Sequence, residues 1–332
     1  MDRRRPLAIV VCALGVLCAT GLALAGTPYT PVGSIVVPSG VVRAVAEKDG
    51  FAYVLTREGG LFTFDISNLS TQSASVVYAA PVCEATLGEY SRGLLCYSDA
   101  LYVAASSGLI VFDVSVPRQP TQAEVQTGST VYNLCRSENL LVACGRGQVQ
   151  LFSLGTPLSP QSLSVIEVPS DRIVFSAAMV GHTLYTSEMS TGTPTAFALR
   201  IIDISDPTHP SLIKVIDRPD AAYQLRGIGQ SLVEATPGSI SLWDVSTPTD
   251  PLLTSTQTAS ARFCAVEGEN IVVSGLVFRI QDAQLEPVSV FDHFGGTADG
   301  WPYGSAVTGQ WILLAYSAGV QILTAAGSAP SD

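Results

Sequence analysis

A unit of roughly forty residues recurs along the 332-residue chain, each copy reads as short strands joined by Gly, Pro and Asp turns, and no segment carries sustained helical periodicity with caps. Together these observations predict an all-β fold, a seven-bladed β-propeller. The unit is an apolar stretch, a Gly-containing turn, a second apolar stretch ending in Asp-x-Ser, and then Pro-x-x-Pro. It is clearest at Gly108 to Pro120 (GLIVFDVSVPRQP), Leu199 to Pro210 (LRIIDISDPTHP) and Ile240 to Pro251 (ISLWDVSTPTDP). Leu61 to Ser67 (LFTFDIS) is a copy without the prolines, and Val149 to Leu154 with Pro157 and Pro160 is a copy without the Asp. Val277 to Ile280 and Val320 to Leu323 are the weakest copies.

The anchors at 61, 109, 149, 199, 240, 277 and 320 are spaced by 48, 40, 50, 41, 37 and 43 residues. A strand-only period in the forties is that of a propeller blade. Within a unit, Phe51 to Leu55 followed by Leu61 to Ile66 shows the paired apolar runs of a hairpin. Pro is spread too densely for long helices. Asp at a strand end accepts backbone N–H groups of the next turn, and Pro then fixes φ and ends the ladder. Asp65, Asp113, Asp203 and Asp244 are therefore read as structural turn residues.

The last unit, Pro302 to Val307, Trp311 to Tyr316 and Val320 to Leu323, lacks a fourth strand, while Val32 to Pro38 is a strand without a blade. Pairing the two closes the ring and removes both open sheet edges. The propeller then occupies residues 32–324, with a polar tail over 325–332 and a short linker over 26–31.

The first segment reads as an address. Arg3 to Arg5, an apolar run from Leu7 to Ala25 and the small-x-small ending Ala23-Leu24-Ala25 follow the order of an export signal, with residues 1–25 removed by cleavage. The alternative is an uncleaved anchor, because an apolar run of this length just spans a bilayer. Neither Cys12 nor Cys18 follows a small residue, as a lipidation signal requires, and both the general and the twin-arginine export routes stay open.

Composition agrees with a compact exported body. Hydrophobic residues make up 47% and charged residues 14%, and Gly 29 plus Pro 20 supply about one residue in seven, with no collagen period. The net charge is -11, and Lys48 and Lys214 are the only lysines, which disfavours a general nucleic-acid binder. Five cysteines remain after signal removal. Cys83 with Cys96, and Cys135 with Cys144, are candidate disulfides, and the odd number leaves at least one thiol unpaired in a monomer.

The Leu-x-Val-x-Asp-Val-Ser-x-Pro-x-x-Pro units around 61, 109, 199 and 240 resemble the LVIVD-repeat proteins. That resemblance implies a bacterial or archaeal exported or surface β-propeller, and it supplies no catalytic residues.

Aligning the hairpins gives one innermost-strand column: Arg43, Arg92, Tyr132 or its neighbour, Phe175, Tyr223, Arg262, and Tyr303 or its neighbour. At one level of a central channel, Arg forks and aromatic faces suit an anionic or sugar-like ligand. Hydrolysis is the rival class, since exported seven-bladed propellers include lactonases with a cation in the channel. The residues for it are few. His182 and His209 read as turn residues, and His293 lies in a Gly-rich stretch with Asp292 and Asp299 that lacks calcium-loop spacing. The loops Pro81 to Arg92, Ser187 to Ala198 and Phe291 to Trp301 exceed what joining strands requires and are candidate contact surfaces. The sequence thus points to a monomeric, non-catalytic binding or scaffolding module, periplasmic, secreted or at the cell surface. Its expected partner is another exported protein or a surface polymer, with no cofactor, metal, nucleic acid or membrane span after signal cleavage.

Overall fold

The computed structural model describes residues 29–67, 75–81, 93–127, 129–259, 261–273, 275–290, 303–307 and 311–325. Among them are 28 strands and no helix. A first strand, β1 (Tyr29–Val36), precedes blade 1, which holds β2 (Val42–Lys48), β3 (Phe51–Thr56), β4 (Gly60–Asp65) and β5 (Ser75–Pro81). Blade 2 holds β6 (Leu94–Tyr97), β7 (Ala100–Ala105), β8 (Gly108–Asp113) and β9 (Thr121–Thr127), and blade 3 holds β10 (Val131–Ser137), β11 (Leu140–Gly145), β12 (Gln148–Ser153) and β13 (Gln161–Glu167). Blade 4 holds β14 (Arg172–Val180), β15 (Thr183–Ser190), β16 (Phe197–Asp203) and β17 (Ser211–Arg218), and blade 5 holds β18 (Gln224–Ile228), β19 (Ser231–Ala235), β20 (Ser239–Asp244) and β21 (Leu252–Thr258). Blade 6 holds β22 (Ala265–Glu267), β23 (Asn270–Val273), β24 (Leu276–Gln281) and β25 (Gln284–Val290). Blade 7 is β26 (Gly304–Val307), β27 (Ile312–Tyr316) and β28 (Gly319–Ala325), completed by β1.

All seven sheets are four-stranded antiparallel meanders whose first strand is innermost, blade 7 taking β1 as its outer strand. In every blade the outermost strand carries one extra residue at the same place, a bulge that bends the strand. The bulged residues are Val77, Ala123, Leu163, Ile213, Thr254 and Val288, and in β1 it is Val32. The first strand therefore stands in blade 7 as the outer strands stand in the other six. It begins at Tyr29, inside the stretch the sequence assigns to a linker, because Tyr29 to Pro31 continue the ladder to Ala325, Thr324 and Leu323.

The core lies between blades. Alternate side chains of each sheet face its two neighbours, and the buried apolar residues form seven such clusters, one for each blade interface. A ring left open would have six. The interface between blades 7 and 1 buries Ile35, Val54, Phe64, Leu313 and Ile322, all with 0% exposure.

The repeat motif folds as its chemistry requires. The N–H groups of Ser67, Ser115, Ser205 and Ser246 donate to Oδ1 of Asp65, Asp113, Asp203 and Asp244 at 2.8–3.1 Å. In blade 3, which has no Asp at this position, Ser153 Oγ accepts the N–H of Gly155 instead. The turn that follows docks on the preceding blade. Tyr102 donates its hydroxyl to Pro157 O at 2.7 Å, Ser164 to Pro207 O at 2.7 Å, and Lys214 Nζ to Thr249 O at 3.3 Å. Replacing Tyr102 by Phe is expected to cost about 1 kcal/mol in denaturant unfolding, the usual net value of one such bond.

The turn carboxyls sit below the ordinary aspartate range. At Asp65 and Asp113 the main cause is the serine hydroxyl two residues on, and at Asp203 and Asp244 it is the serine N–H. Because the folded-state values are depressed, this stabilisation is complete above the unfolded value near about 4 and is lost as pH falls through the lowered values. Melting curves from about pH 5 to about pH 2 are expected to show Asp113→Asn, which keeps an acceptor but no titrating charge, losing less stability with acid than the parent. Asp113→Ala, which keeps no acceptor, is expected to melt lower already at neutral pH.

Candidate functional site in the central channel

The seven innermost strands surround an axial channel. Each pairs with its blade through one edge only, so the other edge presents backbone N–H and C=O groups to the channel. A cavity of about 350 Å³ lies there, lined by β2, β6, β10, β14, β18 and β26. A smaller space of about 30 Å³, room for one water, adjoins it beside Asn133, Gln224, Phe263 and Ser305.

The innermost-strand column occupies one equivalent position around the ring. Arg43, Tyr132 and Phe175 are the bulged residues of β2, β10 and β14. Tyr223 and Tyr303 immediately precede β18 and β26 and donate their N–H groups to Ala235 O and Ala315 O. Arg92 lies outside the described residues. The six others are brought together mainly with one another. Arg43 stacks over the Tyr303 ring at 4.6 Å and Arg262 over the Tyr223 ring at 5.2 Å, while the rings of Phe175 and Tyr223 are 5.3 Å apart. Tyr132, Phe175 and Ile173 form one small buried cluster. None of the six is among the residues that line the two channel spaces.

Among the described residues, the charged side chains that line the cavity are Glu47, Arg136 and Arg226. Glu47 accepts the N–H of Gly50 at 2.8 Å, and burial raises its carboxyl above the ordinary value. Arg136 donates to Glu138 O and stacks over Tyr97 at 4.5 Å. Arg226, in the middle of β18, has no hydrogen bond or ion pair to any described residue, and burial lowers its guanidinium from the ordinary value.

Two buried ion pairs brace the neighbourhood. Arg200 reaches Glu188 through Nε and Nη2 within blade 4, and Thr186 Oγ1 donates to the same carboxylate. Arg218 holds Glu234 across the interface of blades 4 and 5 at 3.2 and 2.7 Å, stacks on the Trp243 ring at 4.6 Å, and Trp243 Nε1 donates to Glu234 at 2.9 Å.

The described cysteines form no disulfide with one another. Cys96, Cys135, Cys144 and Cys264 are free thiols. Cys135 stands opposite Val142 and Cys144 opposite Asn133, so the two thiols are diagonal neighbours on one face. Diagonal positions separate Cβ atoms by roughly 7 Å, beyond the roughly 4 Å a disulfide needs. Both side chains pack in the core between blades 3 and 4. Cys83, the other proposed partner of Cys96, lies outside the described residues.

The remaining candidates are placed as follows. His209 is exposed and bonds Asp206 Oδ2 at 3.0 Å, and hydrogen bonds from Thr208 and His209 lower that carboxyl to about 2. His182 is exposed in the β14–β15 turn. Asp292, His293 and Asp299 lie outside the described residues, as do the loop residues 82–92 and 291–301. Half of Ser187 to Ala198 is strand: β15 runs to Ser190 and β16 starts at Phe197, leaving a loop of 191–196. Among the described residues no group of three or more His, Cys, Asp or Glu side chains is placed to hold a metal ion.

A closed ring of seven four-stranded sheets around an axial channel defines a seven-bladed β-propeller. The LVIVD repeat family model matches residues 39–79, 90–125 and 196–217, three stretches of the chain. No curated protein matches the sequence. Among solved structures, the WD40 β-propeller domain of Doa1 is similar over 90% of this chain and 98% of its own, with a TM-score of 0.65 and 13% identity. The computationally designed Ika8 protein is similar over 89% of this chain and 99% of its own, with a TM-score of 0.58 and 12% identity. BamB from Moraxella catarrhalis is similar over 89% of this chain and 86% of its own, with a TM-score of 0.54 and 13% identity. At these identities the likeness is one of fold.

Proposed function

We propose that this LVIVD-repeat propeller is an exported, non-catalytic module that binds or scaffolds another exported protein or a surface polymer. The observation that carries the reading is the outer rim of blades 4 and 5. Leu212 and Val215 on β17 are 57% and 43% exposed, and Leu252 and Leu253 on β21 are 64% and 44% exposed. Single exposed apolar residues are ordinary on a soluble surface, but consecutive ones on adjacent outer strands favour a contact face. Lys214, between Leu212 and Val215, bonds Thr249 O and pairs with Asp250 in the turn that leads into β21. The export-like segment at residues 1–25 supports the compartment.

The test is crosslinking and capture from periplasmic and surface fractions with the mature chain and with a Leu212→Ser, Leu252→Ser variant. Both positions are exposed, so the variant is expected to fold with an unchanged melting temperature and to lose its captured partner. Capture of the same partner by both proteins would refute the proposed contact face.

A further inference from the structure

We propose that the central channel binds a small oxyanion, a carboxylate or phosphate group, on the guanidinium of Arg226. The blade register isolates this residue. Counting from the hairpin turn, the positions equivalent to Arg226 in the other blades are Ala46, Leu95, Cys135, Ala178, Ala265 and Ala306. Six blades build the same strand with a small or apolar side chain, so the fold has no need of a cation there.

The surroundings leave the charge uncompensated among the described residues. The ionisable groups that act on it are the thiols of Cys264 on blade 6 and Cys135 on blade 3, and Cys135 lines the same cavity as Arg226. Burial pushes these thiols up to about 11 and about 12, so both are neutral at physiological pH and neither acts as a counter-ion. Every other described arginine near the axis is engaged, Arg136 on Tyr97 and Glu138, Arg43 on Tyr303 and Arg262 on Tyr223. Arg226 lines both the 350 Å³ cavity and the smaller space next to it. A planar fork with five N–H donors matches two oxygens of a carboxylate or phosphate, and a narrow protein-walled channel screens the pair less than bulk water does. The chain is acidic overall, with 28 acidic against 17 basic residues, so a half-buried cation left without an acid among the described residues marks a local site and not a general anion-attracting surface.

The site is independent of the outer rim of blades 4 and 5, and each reading stands or falls alone. The test is calorimetric titration of the mature protein with inorganic phosphate, sulfate and acetate, with chloride as the control ion. Saturable binding of at least one oxyanion is expected, weakened at least tenfold in Arg226→Met and unchanged in Arg57→Met, an exposed arginine paired with Glu58 that lines neither channel space. Arg226→Lys keeps the charge and loses the fork, and it supplies the same comparison if the Met variant does not fold; its affinity is expected to fall several-fold. No oxyanion binding by the parent protein, or equal binding by the parent and a folded Arg226 variant, would overturn the proposal.

Discussion

Replacing Arg218 by Ala is expected to destabilise the protein by about 3–5 kcal/mol, the range for removing one partner of a buried ion pair. The Glu234 side chain it leaves behind is 1% exposed and keeps only the Trp243 indole as a donor. The same change strips the Trp243 face of its stacked guanidinium. Most of the loss comes from the stranded carboxylate and not from an intrinsically strong pair, because desolvation offsets much of the attraction between two buried charges. Arg218→Met combined with Glu234→Gln, which removes the charge but keeps an acceptor for Trp243, is therefore expected to recover most of the stability lost by Arg218→Ala. Denaturant unfolding of the three variants measures both effects. A single-variant loss below about 1 kcal/mol, the level of an exposed pair, would contradict the burial seen here.

The second large effect is expected at the seam of the ring. A Cβ on Gly319 would stand 2.1 Å from Ile35 O in β1, a distance that no side-chain adjustment relieves because the obstacle is backbone. Gly319→Ala should displace the closing strand. Ile35 and Tyr29 are 0% and 1% exposed, and uncovering them forfeits roughly 1.5–3 kcal/mol each in burial, beyond the lost ladder of β28. Tyr29 also donates its hydroxyl to Glu267 on blade 6, so the strand ties two blades. The variant is expected to melt well below the parent and to be cut by protease within residues 29–37. Gly192→Ala, where an added Cβ meets nothing within 4 Å, is the control and is expected to behave as the parent.

These effects fall where the sequence was least and most readable. The turns were legible because Asp-x-Ser and Pro-x-x-Pro act locally, and Asp113 to Ser115 needs no distant residue to form its hydrogen bond. The closing strand was legible from arithmetic, since Val320 to Leu323 ended a blade one strand short while Val32 to Pro38 had no blade. Its start at Tyr29 was not, because Tyr29 to Pro31 look like any short apolar linker until the ladder of β28 reaches them.

The column from Arg43 to Tyr303 was aligned at one level, yet at Arg43, Tyr132 and Phe175 it falls on bulges, and bulges leave no mark in hydrophobic periodicity. The place of Arg226 in the channel follows only after each hairpin is counted back from its turn. Cys135 and Cys144 illustrate a related limit. Their spacing brings them to neighbouring strands of one hairpin, but a register differing by two residues separates a bondable pair from a diagonal one. The stretch Ser187 to Ala198, rich in Ser, Thr, Gly and Pro, looks like a loop by composition. Met189 and Ser190 are nevertheless in strand, where the ladders to β14 and β16 decide.

The channel, the isolation of Arg226 and the outward face of β17 and β21 all rest on β1 closing a seven-bladed ring. Ser34 stands directly opposite Gln321 in that seam. A Ser34→Cys, Gln321→Cys variant, oxidised and mapped by mass spectrometry of non-reduced peptides, tests the closure directly. The structure predicts one intramolecular bond between these two positions in the monomer and a raised melting temperature. Free thiols at both positions, or bonds only between chains, would contradict it.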